Sequence, residues 1–146
     1  MASLVTENMQ RFNYLSFEIN SAYHDAALKM GLSDSAMLIL YALCNDGEEC
    51  LLRDITRFSG VSKQTIHSAL RKLEAADIVT LDSSASRKKK VRLTEKGKKS
   101  VKHTVLRMIE IENEIFDSWS KQEAEQYLAL TERYLTAFKK QVEEKL

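Results

Sequence analysis

A cluster of hydrogen-bonding side chains follows Gly60 in the sequence. Its members are Ser62, Lys63, Gln64, Thr65, His67, Ser68 and Arg71. A glutamine amide can form two hydrogen bonds with adenine at once, and a lysine can reach guanine or a phosphate. The hydroxyl groups of Thr65 and Ser68 are short enough to allow a close approach. These residue types indicate a surface suited to contact with the edges of nucleic-acid bases.

A second cluster, of cationic side chains, follows further along the chain. Its members are Arg87, Lys88, Lys89 and Lys90. A narrow DNA minor groove attracts arginine through its negative potential, and lysines contact backbone phosphates. The second cluster is therefore suited to gripping a backbone or a minor groove next to the bases that the first cluster would contact.

The charge of the chain is concentrated around these two clusters. Twelve basic and four acidic residues between Gly60 and His103 give that segment a net charge of +8. Because the whole chain carries +1, the remaining residues carry −7. A basic middle between acidic flanks is typical of a nucleic-acid contact surface, and a solvated lysine-rich face is the other interpretation of the same pattern.

Helices must supply most of the framework that positions these side chains. The chain has no proline and only four glycines, the two residues that disfavour helix interiors. Apolar residues at helical spacing predict four helices in the first half of the chain, over residues 6–30, 34–44, 52–58 and 61–76. Ser62 is the expected N-cap of the fourth helix, and Ile66, Leu70 and Leu73 form its inward stripe. The last two helices then form a helix-turn-helix pattern around Gly60, with the first cluster facing outward.

A hairpin is predicted directly after this helix pair. The β-branched residues over 78–81 favour a strand, residues 82–86 form a polar turn, and the alternation over 88–93 predicts the return strand. A hairpin at this place is the expected position of a wing. The second cluster would then lie at its tip and on its return strand.

Helices are predicted again in the last third of the chain. Thr94 is the expected cap of a helix that starts at Glu95 and continues to a break at residues 118–120. A last helix, over 121–145, carries apolar residues over a wide arc, namely Tyr127, Leu128, Leu130, Tyr134, Leu135, Phe138 and Val142. A helix apolar over such an arc is typically buried against a partner, which predicts a homodimer.

Three stretches of the sequence resemble the MarR family of bacterial regulators. They are Leu52–Ile66, Leu70–Val79 and Leu93-Thr94-Glu95-Lys96-Gly97, the last of which looks like the Leu-Thr-Glu-x-Gly that closes the wing in that family. Members usually also carry Asp-x-Arg in the wing. The matching positions here are Ala85-Ser86-Arg87, so the arginine is kept and the aspartate is absent.

The resemblance implies a mostly α, single MarR-like unit over residues 1–146. Its winged helix-turn-helix DNA-binding domain would cover about residues 33–99, with helical dimerisation regions over 1–32 and 100–146. The partner would be double-stranded DNA, read in the major groove by the first cluster and gripped by the second. The implied function is a homodimeric transcriptional regulator, a ligand-responsive repressor of a pseudo-palindromic operator.

A candidate effector pocket is predicted between the dimerisation and DNA-binding regions. Its residues are Tyr14, Tyr23, Met37 and Tyr41. The resemblance implies a small amphipathic or phenolic effector, and the residues themselves specify none. Each of the four also fits an ordinary packing role.

The cysteines and histidines do not indicate a metal or redox site. Cys44 lies on the apolar face of its helix and fits a core position. Cys50 follows two glutamates, whose charges disfavour a reactive thiolate. His24 and His103 would need a converging acid to bind zinc. We therefore predict no metal and no cofactor.

Other functional classes lack their sequence signals. The sequence contains no glycine-rich phosphate loop and no nucleophile motif, so we predict that the protein is not an enzyme. No apolar run approaches the ~20 residues that span a bilayer, and the start of the sequence has no secretion signal. We expect a cytoplasmic protein with no membrane partner. The alternative function is a winged-helix module that binds protein without specific DNA binding.

Overall fold

The computed structural model describes residues 3–82 and 89–146, and helices dominate this part of the chain. The elements in chain order are α1 (Glu7–Lys29), α2 (Asp34–Asn45), β1 (Glu49–Leu51), α3 (Leu52–Ser59), α4 (Lys63–Ala75), β2 (Val79–Asp82), β3 (Lys90–Leu93), α5 (Glu95–Lys102), α6 (Val105–Asp117) and α7 (Lys121–Lys145). This order confirms the predicted mostly α, winged helix-turn-helix fold.

The chain divides into two compact units, Met1–Met108 and Ile109–Leu146. The first unit contains α1 to α5 and the sheet, and the second contains α7 and most of α6. Among the described helices none alone is long and apolar enough to cross a membrane. Only the consecutive pair α1–α2, bent by 89°, reaches the required length and composition together.

The core of the first unit is built from the apolar sides of α2, α3, α4 and the sheet. Its largest fully buried side chains are Ile39, Leu40, Leu43, Ile55, Ile66, Val79, Val91 and Val105. The predicted inward stripe of α4 is confirmed, because Ile66, Leu70 and Leu73 are all buried. Burial of one such side chain contributes ~1.5–3 kcal/mol. The stripe therefore fixes the rotation of α4 and leaves its polar side facing outward.

A tight turn joins α3 to α4. Gly60 adopts a left-handed φ of 62°, which glycine tolerates because it has no Cβ atom. The Ser62 hydroxyl accepts a hydrogen bond from the backbone N–H of Thr65 at 3.2 Å, which confirms Ser62 as the N-cap. The helix itself begins at Lys63, two residues after the predicted start.

The three strands form an antiparallel sheet in the order β1–β3–β2. The two predicted strands of the hairpin pair as expected, with Val79 opposite Leu93, and most of the predicted turn over residues 82–86 lies outside the described residues. The return strand begins at Lys90, while Lys88 and Arg87 lie outside the described residues. Strand β1, directly before α3, pairs with the other edge of β3, so β3 is the central strand.

The start of α5 is bonded to the end of α4. Thr94 caps α5 as predicted, since its hydroxyl accepts a hydrogen bond from the N–H of Gly97 at 2.9 Å. The same hydroxyl donates to the carbonyl of Asp77 at 2.5 Å. The Lys96 ammonium donates to the carbonyl of Ala76 at 2.9 Å. These bonds hold the turn from which β2 departs.

Gly97 lies against the backbone of that same turn. A Cβ atom added to Gly97 would be 2.0 Å from the carbonyl oxygen of Ile78. The backbone would have to move to accommodate any side chain at this position. The structure thus gives a packing reason for the glycine in the Leu-Thr-Glu-Lys-Gly segment.

The continuous helix predicted from Glu95 to a break at residues 118–120 is wrong, because α5 ends at Lys102 and α6 begins at Val105. The backbone N–H of Thr104 bonds to the carbonyl of Val101 at 3.2 Å, a tight turn in place of the helical pattern. The Thr104 hydroxyl also donates a hydrogen bond to the carbonyl of Ser100 at 2.9 Å. Hydroxyl side chains that bond nearby backbone groups compete with helix hydrogen bonds in this way.

The second unit is organised around a break at Ser118–Ser120. Ser120 and Glu123 form a reciprocal capping box at the start of α7. The Trp119 ring lies 5.0 Å from Phe116 and 5.4 Å from Tyr127, measured between ring centroids. The large apolar side chains of α7 are exposed in the single chain, namely Tyr127, Leu128, Leu130, Tyr134, Leu135, Phe138 and Val142.

Candidate nucleic-acid interface

The outward side of α4 carries the first predicted cluster. The exposed members are Ser62, Lys63, Gln64, Thr65, Ser68 and Arg71. His67 is half-buried and is the exception among the residues predicted to face outward. The cap at Ser62 and the buried stripe of the same helix set this orientation. Gln64 and Ser68 are therefore available to an external partner.

A cleft of about 300 Å³ lies beside the first turns of α4. Its lining residues are Leu51, Leu52, Arg53, Thr56, Lys63, His67 and Lys89. The cleft thus brings Lys63 and His67 of the first predicted cluster together with Lys89 of the second. Gln64 and Ser68 do not line it.

Two residues of the cleft, Arg53 and Thr56, were not identified as functional from the sequence. They lie three positions apart on α3 and therefore on one face of that helix. This spacing is the signal that could have indicated them. The Thr56 hydroxyl donates to the carbonyl of Leu52 at 3.1 Å, so Arg53 is the one of these two side chains that is able to donate to a ligand.

The outer face of the sheet is charged, but an acid on β1 balances its cations. Glu49 lies opposite Arg92 in the strand register, and its carboxylate is 2.8 Å from the Arg92 Nε. The Lys90 Nζ is 3.9 Å from the other oxygen of the same carboxylate. Glu49 was not predicted as a site residue. Its ion pairs with Arg92 and Lys90 depend on the pairing of β1 with β3, which joins distant parts of the sequence.

A second ion-pair group lies at the start of α5. The Lys98 ammonium is 3.0 Å from Glu48 and 3.3 Å from Glu95. Hydrogen bonds to Glu48 and then to Glu95 raise the pKa of Lys98 above its ordinary value. This lysine therefore belongs to a balanced surface group and adds little to the net field of the sheet.

The two cysteines are reduced and poorly suited to redox chemistry. Cys50 is buried, and burial, with the charges of Asp46 and Asp54, raises the pKa of its thiol to about 12. The expectation of an unreactive thiolate thus agrees with the structure, although burial and not the preceding glutamates is the main cause. Burial raises the pKa of the half-buried Cys44 as well.

The four candidate effector residues lie in different environments. Met37 is buried in a cluster with Ala27 and Met108, and Tyr41 packs against this cluster. The Tyr41 ring also stacks on Phe58 at 5.9 Å between ring centroids. Tyr14 and Tyr23 are exposed on α1. An effector pocket at these residues remains a prediction.

No metal-binding arrangement occurs within residues 3–82 and 89–146, where no three His, Cys, Asp or Glu side chains converge. The Nδ1 of His24 is instead 2.9 Å from the Asp34 carboxylate. This contact joins α1 to the first turn of α2 on the protein surface.

Comparisons with known proteins agree with this geometry. Residues 30–89 match the model of the MarR family. No curated protein matches the chain in sequence. The matched segment runs from the end of α1 through the helix-turn-helix to the residue before β3, and so includes most of the surface described above.

Solved structures of the same fold cover nearly the whole chain. A MarR family regulator from Neisseria meningitidis superposes with a TM-score of 0.84 at 16% identity, over 97% of this chain and all of the other. The S. aureus MepR–DNA complex gives 0.68 at 21% identity, over 88% of this chain and 96% of the other. PcaV from Streptomyces coelicolor, solved with its natural ligand, gives 0.65 at 17% identity, over 94% and 99%. Residues 30–89 therefore resemble the MarR family, and the chain as a whole has the winged helical fold of these regulators.

Proposed function

We propose that the protein is a sequence-specific DNA-binding transcriptional regulator. The observation that carries this proposal is the way in which α4 exposes its polar side chains to solvent. Its polar N-terminal half is exposed, its apolar stripe is buried, and a winged sheet lies beside it in the same compact unit. In helix-turn-helix proteins, the second helix of the pair enters the major groove and its first residues meet base edges.

Gln64 is the proposed reader of the operator sequence. Its amide can bond adenine through two atoms at once, which is worth ~1–3 kcal/mol of discrimination against the wrong base. Thr65 and Ser68 are exposed on the same helix and can contact base edges at short range. Ser62, Lys63, His67 and Arg71 complete the proposed DNA-contacting set on α4.

The wing is proposed to contact the flanking DNA. Lys89 and Lys90 are exposed at the start of the return strand. Arg87 and Lys88, which lie outside the described residues, remain proposed contacts from the sequence. An arginine there would sense the width of the minor groove, while the lysines would neutralise phosphates.

We propose that the active form is a homodimer on a pseudo-palindromic operator. The exposed apolar side chains of α7 are numerous, and a closed two-fold pair is the commonest way to bury such a surface. Static light scattering at micromolar concentration should give roughly twice the chain mass. Deletion of residues 121–146 should abolish the dimer, and a monomeric full-length protein would contradict this part of the proposal.

Ligand-responsive repression is the proposed mode of control. PcaV was solved in complex with its natural ligand, so a protein of this fold is able to hold a ligand. In the present chain, a small amphipathic or phenolic effector would change the spacing of the two α4 helices in the dimer. Promoter occlusion would then be relieved.

Selection of DNA from a random pool, followed by titration at several salt concentrations, tests the function. A selected site with approximate dyad symmetry, half-site centres about 10 base pairs apart and salt-sensitive affinity are the expected results. Absence of duplex binding at low salt would refute DNA regulation and favour a winged-helix module that binds protein.

A further inference from the structure

A connector of three residues, 76–78, joins the end of α4 to the first strand of the wing. Its backbone N–H groups all donate to carbonyls of the last turn of α4. In chain order, the acceptors are Lys72 at 3.0 Å, Glu74 at 3.0 Å and Leu73 at 2.9 Å. The N–H side of the connector is therefore bonded to α4.

The carbonyl side of the same connector is bonded by Thr94 and Lys96. The Thr94 hydroxyl donates to the carbonyl of Asp77 at 2.5 Å, and the Thr94 backbone N–H donates to that of Ile78 at 3.0 Å. The Lys96 ammonium donates to the carbonyl of Ala76 at 2.9 Å. Each of the three connector residues is thus bonded to α4 through its N–H and to the start of α5 through its carbonyl.

The two residues also lie where the wing ends. Thr94 directly follows Leu93, the last residue of β3, and Leu93 is paired with Val79, the first residue of β2. Both strands of the wing therefore meet the connector within one residue of its ends. The bonds made by Thr94 and Lys96 accordingly determine the direction in which the wing leaves α4.

We propose that Thr94 and Lys96 are positioning residues, which fix the angle between α4 and the wing and thereby the operator preference of the protein. The inference rests on the proposed function, in which α4 and the wing engage one duplex together. A hydrogen bond to a base needs ~2.7–3.2 Å and a nearly linear angle, whereas attraction between charges falls gradually with distance. A wing at the wrong angle therefore costs base contacts more than it costs general attraction to DNA.

Two properties of the connector show why it needs these bonds. Asp77 adopts a left-handed φ of 59° although it has a Cβ atom, and such a conformation persists where surrounding contacts hold it. Lys96 places its positive charge at the carbonyl end of α4, which the helix dipole favours. Loss of either partner leaves the connector free to adopt other backbone angles.

The first arm of the test removes the donor of Lys96. Lys96→Met should weaken binding to the selected operator roughly three- to tenfold, as partial loss of one base contact would. Binding to random duplex should stay within about twofold and the salt slope should stay unchanged, because no phosphate contact is lost. Lys96→Arg keeps a donor and should restore the preference. Lys99→Met removes an exposed charge from the same helix and is the matched control, which should change neither quantity.

The second arm removes the hydroxyl of Thr94. Thr94→Val should lose operator preference as Lys96→Met does, while Thr94→Ser should retain it. Thr104→Val is the matched control, since the Thr104 hydroxyl also donates to a backbone carbonyl, that of Ser100, away from the connector. Urea unfolding of every variant gives its stability. A loss of stability at Thr94 with full operator preference would show a purely structural role and overturn the inference.

The third arm needs no DNA. Residual dipolar couplings of backbone amides report the orientation of β2 and β3 relative to α4 in the full-length protein. In Lys96→Met and Thr94→Val, the couplings of the two strands should change together while those of α4 keep one common orientation. An unchanged orientation of the strands in both variants would overturn the inference.

The outcomes separate this inference from the proposed function. If Lys96→Met weakens binding to both duplexes equally and makes the salt slope shallower by about 0.9 per subunit, Lys96 contacts a phosphate. The positioning role is then overturned, while DNA regulation stands. Absence of duplex binding by the wild-type protein would refute the proposed function and with it the effect on operator preference. The couplings would still decide whether the two residues fix the wing.

Discussion

The exposed end of α4 and the outer face of the sheet differ in how their polar groups are balanced. On α4, Gln64 and Ser68 are neutral and open to a partner. On the sheet, Arg92 and Lys90 are cationic but are held by Glu49. Two cations of the basic segment are therefore less available to a partner than the sequence charge alone suggests. Under the proposed function, sequence preference would arise on α4 and electrostatic attraction to DNA in the wing.

The largest loss of folding stability is expected at Gly97, which lies against the turn between α4 and β2. Gly97→Ala would place a Cβ atom 2.0 Å from the Ile78 carbonyl oxygen, so the backbone must shift. Overpacking of this kind typically costs 1–3 kcal/mol, and we expect about 3 kcal/mol because the obstacle is backbone. Urea unfolding measures the change. Lys99→Ala, on the exposed side of the same helix, should stay within about 0.5 kcal/mol, and equal stability of the two variants would contradict the close packing.

A smaller effect, on the preference for operator DNA alone, is expected from substitution of the neutral Gln64 on α4. Gln64→Ala should reduce the preference for operator over random duplex by ~1–3 kcal/mol, because one base contact is lost. The salt slope should stay nearly unchanged, since no phosphate contact is removed. Titrations on both duplexes across several salt concentrations give the two quantities. Full operator preference in the variant would show that Gln64 does not read a base.

A change in salt dependence is expected instead from substitution of Glu49 on the outer face of the sheet. Glu49→Gln releases Arg92 and Lys90, so binding to random DNA should strengthen and the salt slope should steepen by up to about 1.8 per subunit. Folding stability should fall by less than about 1 kcal/mol, because both ion pairs are half exposed. Glu125→Gln in the second unit removes the same charge and serves as the control. An unchanged slope would show that the two cations do not reach DNA.

The last effect is confined to high pH and is expected beneath the sheet, at Cys50. Its thiol has a pKa of about 12 in the fold and ionises near its ordinary pKa of 9.0 when unfolded. Its contribution to stability is therefore complete below pH 9 and is lost as the pH rises from 9 to 12. The melting temperature of the wild type should fall more steeply than that of Cys50→Ala over this range. Parallel curves, or rapid alkylation of Cys50 in the native protein at pH 8, would contradict the buried neutral thiol.

Local signals in the sequence predicted most of the fold. The caps at Ser62 and Thr94 and the stripe of Ile66, Leu70 and Leu73 are short-range patterns, and the structure confirms them. The pairing of β1 with β3 was not predicted, because the two strands are far apart in sequence and β1 has three residues. The break between α5 and α6 was missed because apolar spacing continues across it, while hydroxyl–backbone bonds decide the geometry.

The candidate site was predicted less completely for the same reason. The outward residues of α4 follow from helical spacing, and their exposure agrees with it except at half-buried His67. The cleft requires residues from three separate segments, and Arg53 and Thr56 had no pattern of their own that linked them to Lys89. The balancing of Arg92 by Glu49 likewise depends on strand register.

The carboxylate of Glu49 has a consequence for the time that the proposed regulator would need to find its operator. A genome offers ~10⁶–10⁹ competing sites, and non-specific affinity comes from phosphate neutralisation. A cation that already carries an internal counterion at 2.8 Å releases fewer ions from DNA when it arrives. The protein would then dwell more briefly on each wrong site, and its search would be faster than its sequence charge suggests.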